Sequence, residues 1–317
     1  MRTPPTRTRV AVIGGGQNCE HDVSLASAAS VAGALDPAAY DVVPITIGRD
    51  GTWRDRGLRP IGLCGAAQVL RGCDVAFPVV HGPRGEDGAL AALCELAGIA
   101  YVGSGVRPGA IAMDKWTTKL VAAAVGIATA PGRLVTAATA GHERWTHPVV
   151  VKPVAAGSSL GVSLVTEPGL LRPALEEALA LDDRVLVEDV VAGREIDVAV
   201  LRRTDGSLFV PPALEIVADG VFDHEAKYGG HADFRVPARL EGVEAKALKE
   251  AALAVYDALG CSGVARVDFF LTEDGPVLNE VNTVPGMTEH SQVPRMFAAA
   301  GMSYPELLDE LVRGAHR

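Results

Sequence analysis

Short apolar runs and helix-spaced apolar positions alternate along the first hundred residues. Residues 9–13 read RVAVI, an apolar run ending in three glycines, which is the pattern of a strand buried in a parallel sheet. Leu25, Ala28, Ala32 and Leu35 then recur at helical spacing. Strands over residues 42–47 and 75–80 follow, and an alanine-rich helix runs through Leu90, Leu93 and Leu96. This alternation predicts a doubly wound α/β domain over residues 1–104, built on a parallel sheet. From 105 to 190 the texture changes. A helix around 115–125 precedes two β-rich stretches, HPVVVKP and GVSLV, joined by a Gly-Ser turn, then a helix near 170–181 and the strand RVLVEDVV. Residues 191–317 hold REIDVAVL, a helix over 245–259, a hairpin, and a closing helix through Leu307, Leu308 and Leu311. The three stretches are read as an N-terminal, a central and a C-terminal domain.

Composition narrows the class. Apolar residues make up 48% and charged residues 21% of 317, the profile of a soluble globular chain. The net charge of −10 argues against a broad nucleic-acid surface, although a local lysine cluster can still hold phosphate. The five cysteines are scattered, odd in number and never spaced as a metal pair, so they read as reduced thiols. The N-terminus lacks an apolar stretch long enough for a signal segment, and no run reaches the roughly 20 apolar residues of a membrane helix. The expected location is the cytoplasm, with no membrane partner.

The strongest chemistry lies in ARVDFFLTEDGPVLNEVNT. Two alternating strands flank Glu273-Asp274-Gly275, with glycine where a three-residue hairpin loop requires a left-handed backbone. Folding about Asp274 pairs Asp268 with Glu280 and Arg266 with Asn282. Because side chains at i and i+2 share a face, one face then carries all four, while Val267, Phe269 and Val281 take the other. Two carboxylates and an amide oxygen are hard ligands of the kind Mg²⁺ takes alongside substrate phosphates. The adjacent arginine suits a charged oxygen in transfer.

Two further segments suit phosphate and nucleotide. PVVVKPVAAGSSLGV sets Lys152 at a strand end before a loop of small residues whose N–H groups, with the hydroxyls of Ser158 and Ser159, approach phosphate closely. Glu188 and Asp189 end the strand RVLVEDVV, and Glu195 follows; each could accept from an adenine amino group or a ribose hydroxyl, or stand as a solvated loop acid. Gly14–Gly16 invites a dinucleotide reading that fails on detail. The third fingerprint glycine falls at Cys19, and the second strand ends without a ribose-binding acid. GxxxxGK[ST] does not occur, so the chain carries no P-loop.

Taken in order, GGGQNCEHDVSL, VVHGPRGEDGAL, GIAYVGSGV, AMDKWTTK, VVKPVAAGSSLGV, VEDVVAGREIDVAVL, FDHEAKY, RVDFF and LNEVNTVPGMTEHSQVP resemble the D-alanine–D-alanine ligases of the ATP-grasp superfamily over nearly the whole chain. The resemblance implies a three-domain ATP-grasp architecture and a homodimer. It implies that Glu20 receives the first substrate's ammonium in a pocket that His81 lines. Lys115, Lys152 and Lys227 would contact nucleotide or phosphate, Glu188 the adenine amino group and Glu195 the ribose. Asp268, Glu280 and Asn282 fall on the ligands of two Mg²⁺ ions, for which Mn²⁺ can substitute. Arg266 and the Gly286 N–H would stabilise the tetrahedral intermediate, Ser158 and Tyr228 would close the site with Glu20, and Ser291 would bind the second substrate's carboxylate. Ala155 and Ala156 depart from the family's usual larger or charged residues, and Gln292 stands where an apolar residue is common, a polar group near the second-substrate pocket that could admit a hydroxylated or otherwise different amino acid. The implied activity is ATP-dependent formation of D-alanyl-D-alanine for peptidoglycan; the alternative is a related ligase or cyclase that takes another D-amino acid, such as D-serine, in a biosynthetic or resistance pathway.

Overall fold

The computed structural model describes residues 7–217 and 233–315. The first apolar run becomes β1 (Thr8–Gly15), the centre of a five-stranded sheet with β2 (Tyr40–Ile47), β3 (Trp53–Arg54), β4 (Val75–Pro78) and β5 (Ala100–Tyr101) in the order β3-β2-β1-β4-β5. β2, β1, β4 and β5 are parallel, and β3 turns back on β2. Alternation along β1 feeds two cores. Val10 and Val12 pack with Val31 of α1 (His21–Ala34), while Ala11 and Ile13 pack with Ala66 of α2 (Gly62–Arg71) and Leu90 of α3 (Ala89–Ala97). The glycine triplet serves this packing. A Cβ on Gly14 would lie 2.5 Å from Ala28 Cβ, and one on Gly15 (φ 91°) would lie 2.1 Å from the Ile47 carbonyl. β1 and α1 are thereby drawn together, and no fingerprint for a dinucleotide is needed to explain the glycines.

α4 (Val106–Met113) and α5 (Lys115–Ala124) follow, the second capped by Asp114, whose side chain accepts from Thr117 N–H. A four-stranded antiparallel sheet comes next, β7 (Gly132–Thr136), β10 (Arg184–Asp189), β8 (Val149–Pro153) and β9 (Ser163–Val165) in that order. α6 (Pro168–Leu179) buries Leu171, Ala174, Leu175 and Ala178 against it, the i, i+3, i+4, i+7 face that its sequence carries. β6 (Ala128–Thr129) does not join this sheet but pairs with the third.

That third sheet runs β14-β13-β11-β15-β16-β6, from β11 (Arg194–Arg202), β13 (Leu214–Val217), β14 (Asp233–Arg235), β15 (Val264–Thr272) and β16 (Gly275–Asn282), with β12 (Leu208–Phe209) on β11. α7 (Gly242–Leu259) packs on it and shares a core with Ala112 of α4 and Ala122 of α5. α8 (Gln292–Ala299) and α9 (Tyr304–Arg313) close the chain, and α9 contributes Leu307, Leu308 and Leu311 to the core that also holds Val10 and Val12. The first and third sheets therefore share one apolar interior.

The β15–β16 hairpin reaches the expected register by a different route. Thr272 pairs with Gly275, so the loop is the two residues Glu273-Asp274 rather than three. A bulge at Asn279 then shifts the ladder by one between Asp268 and Phe269, which restores Asp268↔Glu280 and Arg266↔Asn282. Without that extra residue, Glu280 and Asn282 of β16 would turn to the opposite face. Among the described residues, no helix is long and apolar enough to cross a membrane.

Candidate active site

Glu20 lies beyond the carboxyl end of β1, at the N-cap of α1, and His81 follows β4. These are the strand ends where open α/β sheets present ligand-binding groups. Glu20 is 9% exposed; its Oε1 accepts a short hydrogen bond from the Ser158 hydroxyl, and its Oε2 is buried without a partner. The Ser158 loop therefore closes over Glu20 from the second sheet. Ser158 (φ 52°) and Ser159 (φ 55°) both hold left-handed backbone, uncommon for residues with a Cβ and a mark of a loop constrained for function. Gly157 permits the approach, because a Cβ there would stand 2.3 Å from Glu20 Oε2.

A cavity of about 410 Å³ opens between the second and third sheets, lined among others by Lys115, Lys152, Glu188, Glu195 and the hairpin face. That volume lies in the range of small-molecule sites. Glu188 is buried between two lysines. Lys152 Nζ lies 2.7 Å from its Oε2, and Lys119 Nζ makes a short contact with its Oε1 and donates to the Ala130 carbonyl at 2.6 Å. Burial pushes the Glu188 carboxyl up, but the two ammonium groups outweigh it and hold the pKa below its ordinary value. Lys119 itself is pushed down by burial.

On the hairpin face, Arg266 donates from Nε and Nη2 to the two oxygens of Asp268, each at 2.7 Å, and from Nη1 to Gln292 Oε1 at 2.6 Å. Burial alone would depress the guanidinium, yet Asp268 and Asp197 hold it above its ordinary value. Asp197 stands 3.5 Å from Arg266 Nε, and burial together with Asp268 lifts its carboxyl well above the usual range. Lys115 Nζ bridges the Ser158 loop and the hairpin, 3.0 Å from the Ala156 carbonyl and 3.2 Å from Glu280 Oε2. Asn282 Oδ1 is buried and unpartnered. An orphaned amide oxygen beside two carboxylates fits a hard divalent cation. Among the described residues no group of three His, Cys, Asp or Glu forms a complete metal cage, so the remaining ligands would come from substrate phosphate and water.

Beneath this face a second cavity of about 30 Å³ is lined by Glu20, Glu86, Glu280 and Asn282. Glu86 Oε2 is buried and unpartnered; burial and then Glu20 push its carboxyl up to about 8. Ser291 stands at the N-cap position of α8 without a side-chain capping bond, and its hydroxyl lies 2.7 Å from that of Thr288 and 3.2 Å from where a Cβ on Gly286 would sit. The turn thus brings Gly286 and Ser291 together.

The structure gathers Glu20, Lys115, Lys152, Ser158, Ser159, Glu188, Glu195, Arg266, Asp268, Glu280 and Asn282 around the two adjoining cavities. Lys227 and Tyr228 lie outside the described residues. Two readings change. His81 does not offer its ring to the pocket through these bonds, since Nδ1 meets the Val284 carbonyl at 2.7 Å and Nε2 meets Ser27 Oγ at 3.0 Å. Gln292, the candidate for admitting a hydroxylated substrate, spends its amide oxygen on Arg266. Sequence reasoning passed over Lys119, Asp197, Glu86 and Asn279, whose Oδ1 accepts from Lys152 at 3.2 Å. Lys119 left one signal, its i+4 spacing from Lys115 on a predicted helix.

Comparison with known proteins agrees with this geometry. The family model described as D-ala D-ala ligase C-terminus matches residues 125–313, and the D-ala D-ala ligase N-terminus model matches 9–60 and 58–104. A D-alanine–D-alanine ligase of Mycolicibacterium smegmatis is 41% identical, over 98% of this chain and 95% of its own length. Among solved structures, the VanG D-Ala:D-Ser ligase of Enterococcus faecalis is similar with a TM-score of 0.86 at 34% identity, covering 97% of this chain and 99% of that one. The D-alanine–D-alanine ligase of Coxiella burnetii has a TM-score of 0.81 at 31% identity, covering 97% and 93%. With both halves matched and the cleft built as described, the chain belongs to the D-alanine–D-alanine ligase family.

Proposed function

We propose that this chain uses ATP to join two D-alanine molecules into D-alanyl-D-alanine, releasing ADP and phosphate, for peptidoglycan precursor synthesis. The observation that carries the reading is the convergence of Arg266, Asp268, Glu280 and Asn282 on one face of the cleft that also presents Lys115, Lys152 and Glu188. An amine does not displace oxide from a carboxylate, so the acid must first gain a leaving group. Transfer of the γ-phosphoryl to the first D-alanine's carboxylate gives an acyl phosphate, and the second amine then attacks the acyl carbon and expels phosphate. Lys152 and Lys115 would hold phosphates, Glu188 would accept from the adenine amino group and Glu195 would bind the ribose. Glu20 would hold the first ammonium, with Ser158 closing over it so that water stays out. Arg266 and the Gly286 N–H would stabilise the oxyanion, and Ser291 would take the second carboxylate. In this proposal Tyr228 belongs to the same closure, and Lys227 reaches phosphate. Asp268, Glu280 and Asn282 would hold Mg²⁺, which neutralises phosphate charge when bound.

D-alanine is favoured over D-serine at the second position. The curated relatives at 39–41% identity are D-alanine–D-alanine ligases, and the one polar group that suggested a hydroxylated substrate, Gln292, is engaged by Arg266. The same reading carries a cytoplasmic homodimer. Mass spectrometry after incubation with ATP, Mg²⁺ and D-alanine tests the proposal. D-alanyl-D-alanine with equimolar ADP is the expected result; turnover with D-serine alone and none with D-alanine would overturn it.

A further inference from the structure

One face of α1 reaches across to the loop that follows β16. Ser27 is fully buried, and its Oγ accepts from the Met287 N–H at 3.2 Å. One turn on, Ser30 Oγ accepts from the Glu289 N–H at 3.3 Å. His81 completes the link. The Val284 carbonyl can only accept, so the ring nitrogen facing it at 2.7 Å, Nδ1, carries the proton. In the neutral ring Nε2 is then an acceptor and takes the Ser27 O–H at 3.0 Å. The His81 backbone N–H is itself held by Ser24 Oγ at 3.0 Å. Tyr304 O–H donates to the Met287 carbonyl at 2.5 Å, so both polar groups of that peptide position are fixed.

Residues 20, 24 and 27 follow i, i+4, i+7 and so share a face of the helix. The group that starts this face is Glu20, and the loop its later turns grip carries Gly286 and Ser291. Resting on the ligase reading above, we propose that Ser27 and His81 are positioning residues that fix the 284–291 loop at a set distance from Glu20, so that α1 sets the span between amine and carboxylate that the first-substrate pocket accepts. Neither side chain needs to touch substrate for this. The buried hydroxyl has each partner's role determined: it cannot be replaced by a methyl group without orphaning the Met287 N–H and His81 Nε2 together.

Ser27→Ala tests it with two readouts. The KM for D-alanine should rise about tenfold, the factor that about 1.4 kcal/mol represents, while the KM for ATP stays within roughly twofold. Discrimination against β-alanine, whose amine and carboxylate stand one methylene further apart, should fall by a similar factor. Hydrogen exchange at residues 284–291 should quicken. Unchanged KM and selectivity in the variant, or a loss of active protein with both KM values unmoved, would overturn the proposal and leave Ser27 a packing residue. If Ser27→Ala does not fold, His81→Asn, which removes the ring's link to Ser27, gives the same readouts. A wild-type protein inactive on D-alanine would refute the ligase reading instead, and the exchange experiment would still decide whether the clamp exists.

Discussion

Replacing Lys119 with methionine isolates the charge that holds Glu188. Methionine keeps most of the side-chain volume, so little cavity energy enters. Two hydrogen-bonded contacts disappear, to Glu188 Oε1 and to the Ala130 carbonyl, both buried. Removing one member of a buried ion pair costs about 3–5 kcal/mol when its partner is left alone. Glu188 is not left alone, since Lys152 remains at 2.7 Å. The expected loss is therefore the cost of leaving buried acceptors short of donors, about 1–3 kcal/mol. The sign with pH follows from the depressed Glu188 carboxyl. A carboxyl whose pKa is lower in the folded protein contributes stability above its unfolded pKa, and loses it as pH falls through the folded one. Lys119→Met lessens that depression, so the variant should lose stability at a higher pH than wild type on acidification. Urea unfolding at pH 7 and across pH 3–5 measures both, and a double-mutant cycle with Glu188→Gln isolates the pair. The KM for ATP should rise as well, because Glu188 loses the group that orients it. A destabilisation below about 0.5 kcal/mol with an unchanged acid limb and an unchanged KM for ATP would refute the reasoning.

Three further outcomes are expected. Asp268→Ala or Glu280→Ala should reduce ADP formation at least about a hundredfold with the fold intact by circular dichroism, and full ADP formation in either variant would exclude the replaced residue as a metal ligand. Gly157→Ala places a methyl group 2.3 Å from Glu20 Oε2, too close for both to stay, so kcat/KM for D-alanine should fall roughly tenfold or more, with fluorescent ATP-analogue binding less affected. Glu86 carries a carboxyl pushed up to about 8 by burial and by Glu20, so the folded protein keeps a proton there that the unfolded chain releases near its ordinary value. Stability should accordingly fall as pH rises from about 5 to 8, and Glu86→Gln should flatten that slope in urea titrations; a slope identical to wild type would exclude Glu86 as its source.

Local pattern decided much of this protein. The apolar runs of β1, β2 and β4, the helical spacing in α6, α7 and α9, and the alternation in β15 and β16 each state their element, because periods of 2 and 3.6 survive in any tertiary setting. The polar face of the hairpin was legible for the same reason, since two acids, an amide and an arginine at i, i+2 spacing exclude an apolar role. Short elements were not legible. β3, β5 and β6 are two residues each and exist only because a neighbouring strand offers them a ladder. The hairpin's register needed a bulge at Asn279 that no local rule announces; the sequence reading reached the right pairs by assigning the extra residue to the turn. Partners distant in the chain were beyond reach altogether. That Lys119 and Lys152 enclose Glu188, that Glu86 shares a cavity with Glu20, and that Ser27 holds Met287 are consequences of three sheets closing on one another. A buried group is defined by what desolvates and pairs it, and for these residues those groups lie from 36 to 260 positions away, where only the folded chain brings them into contact.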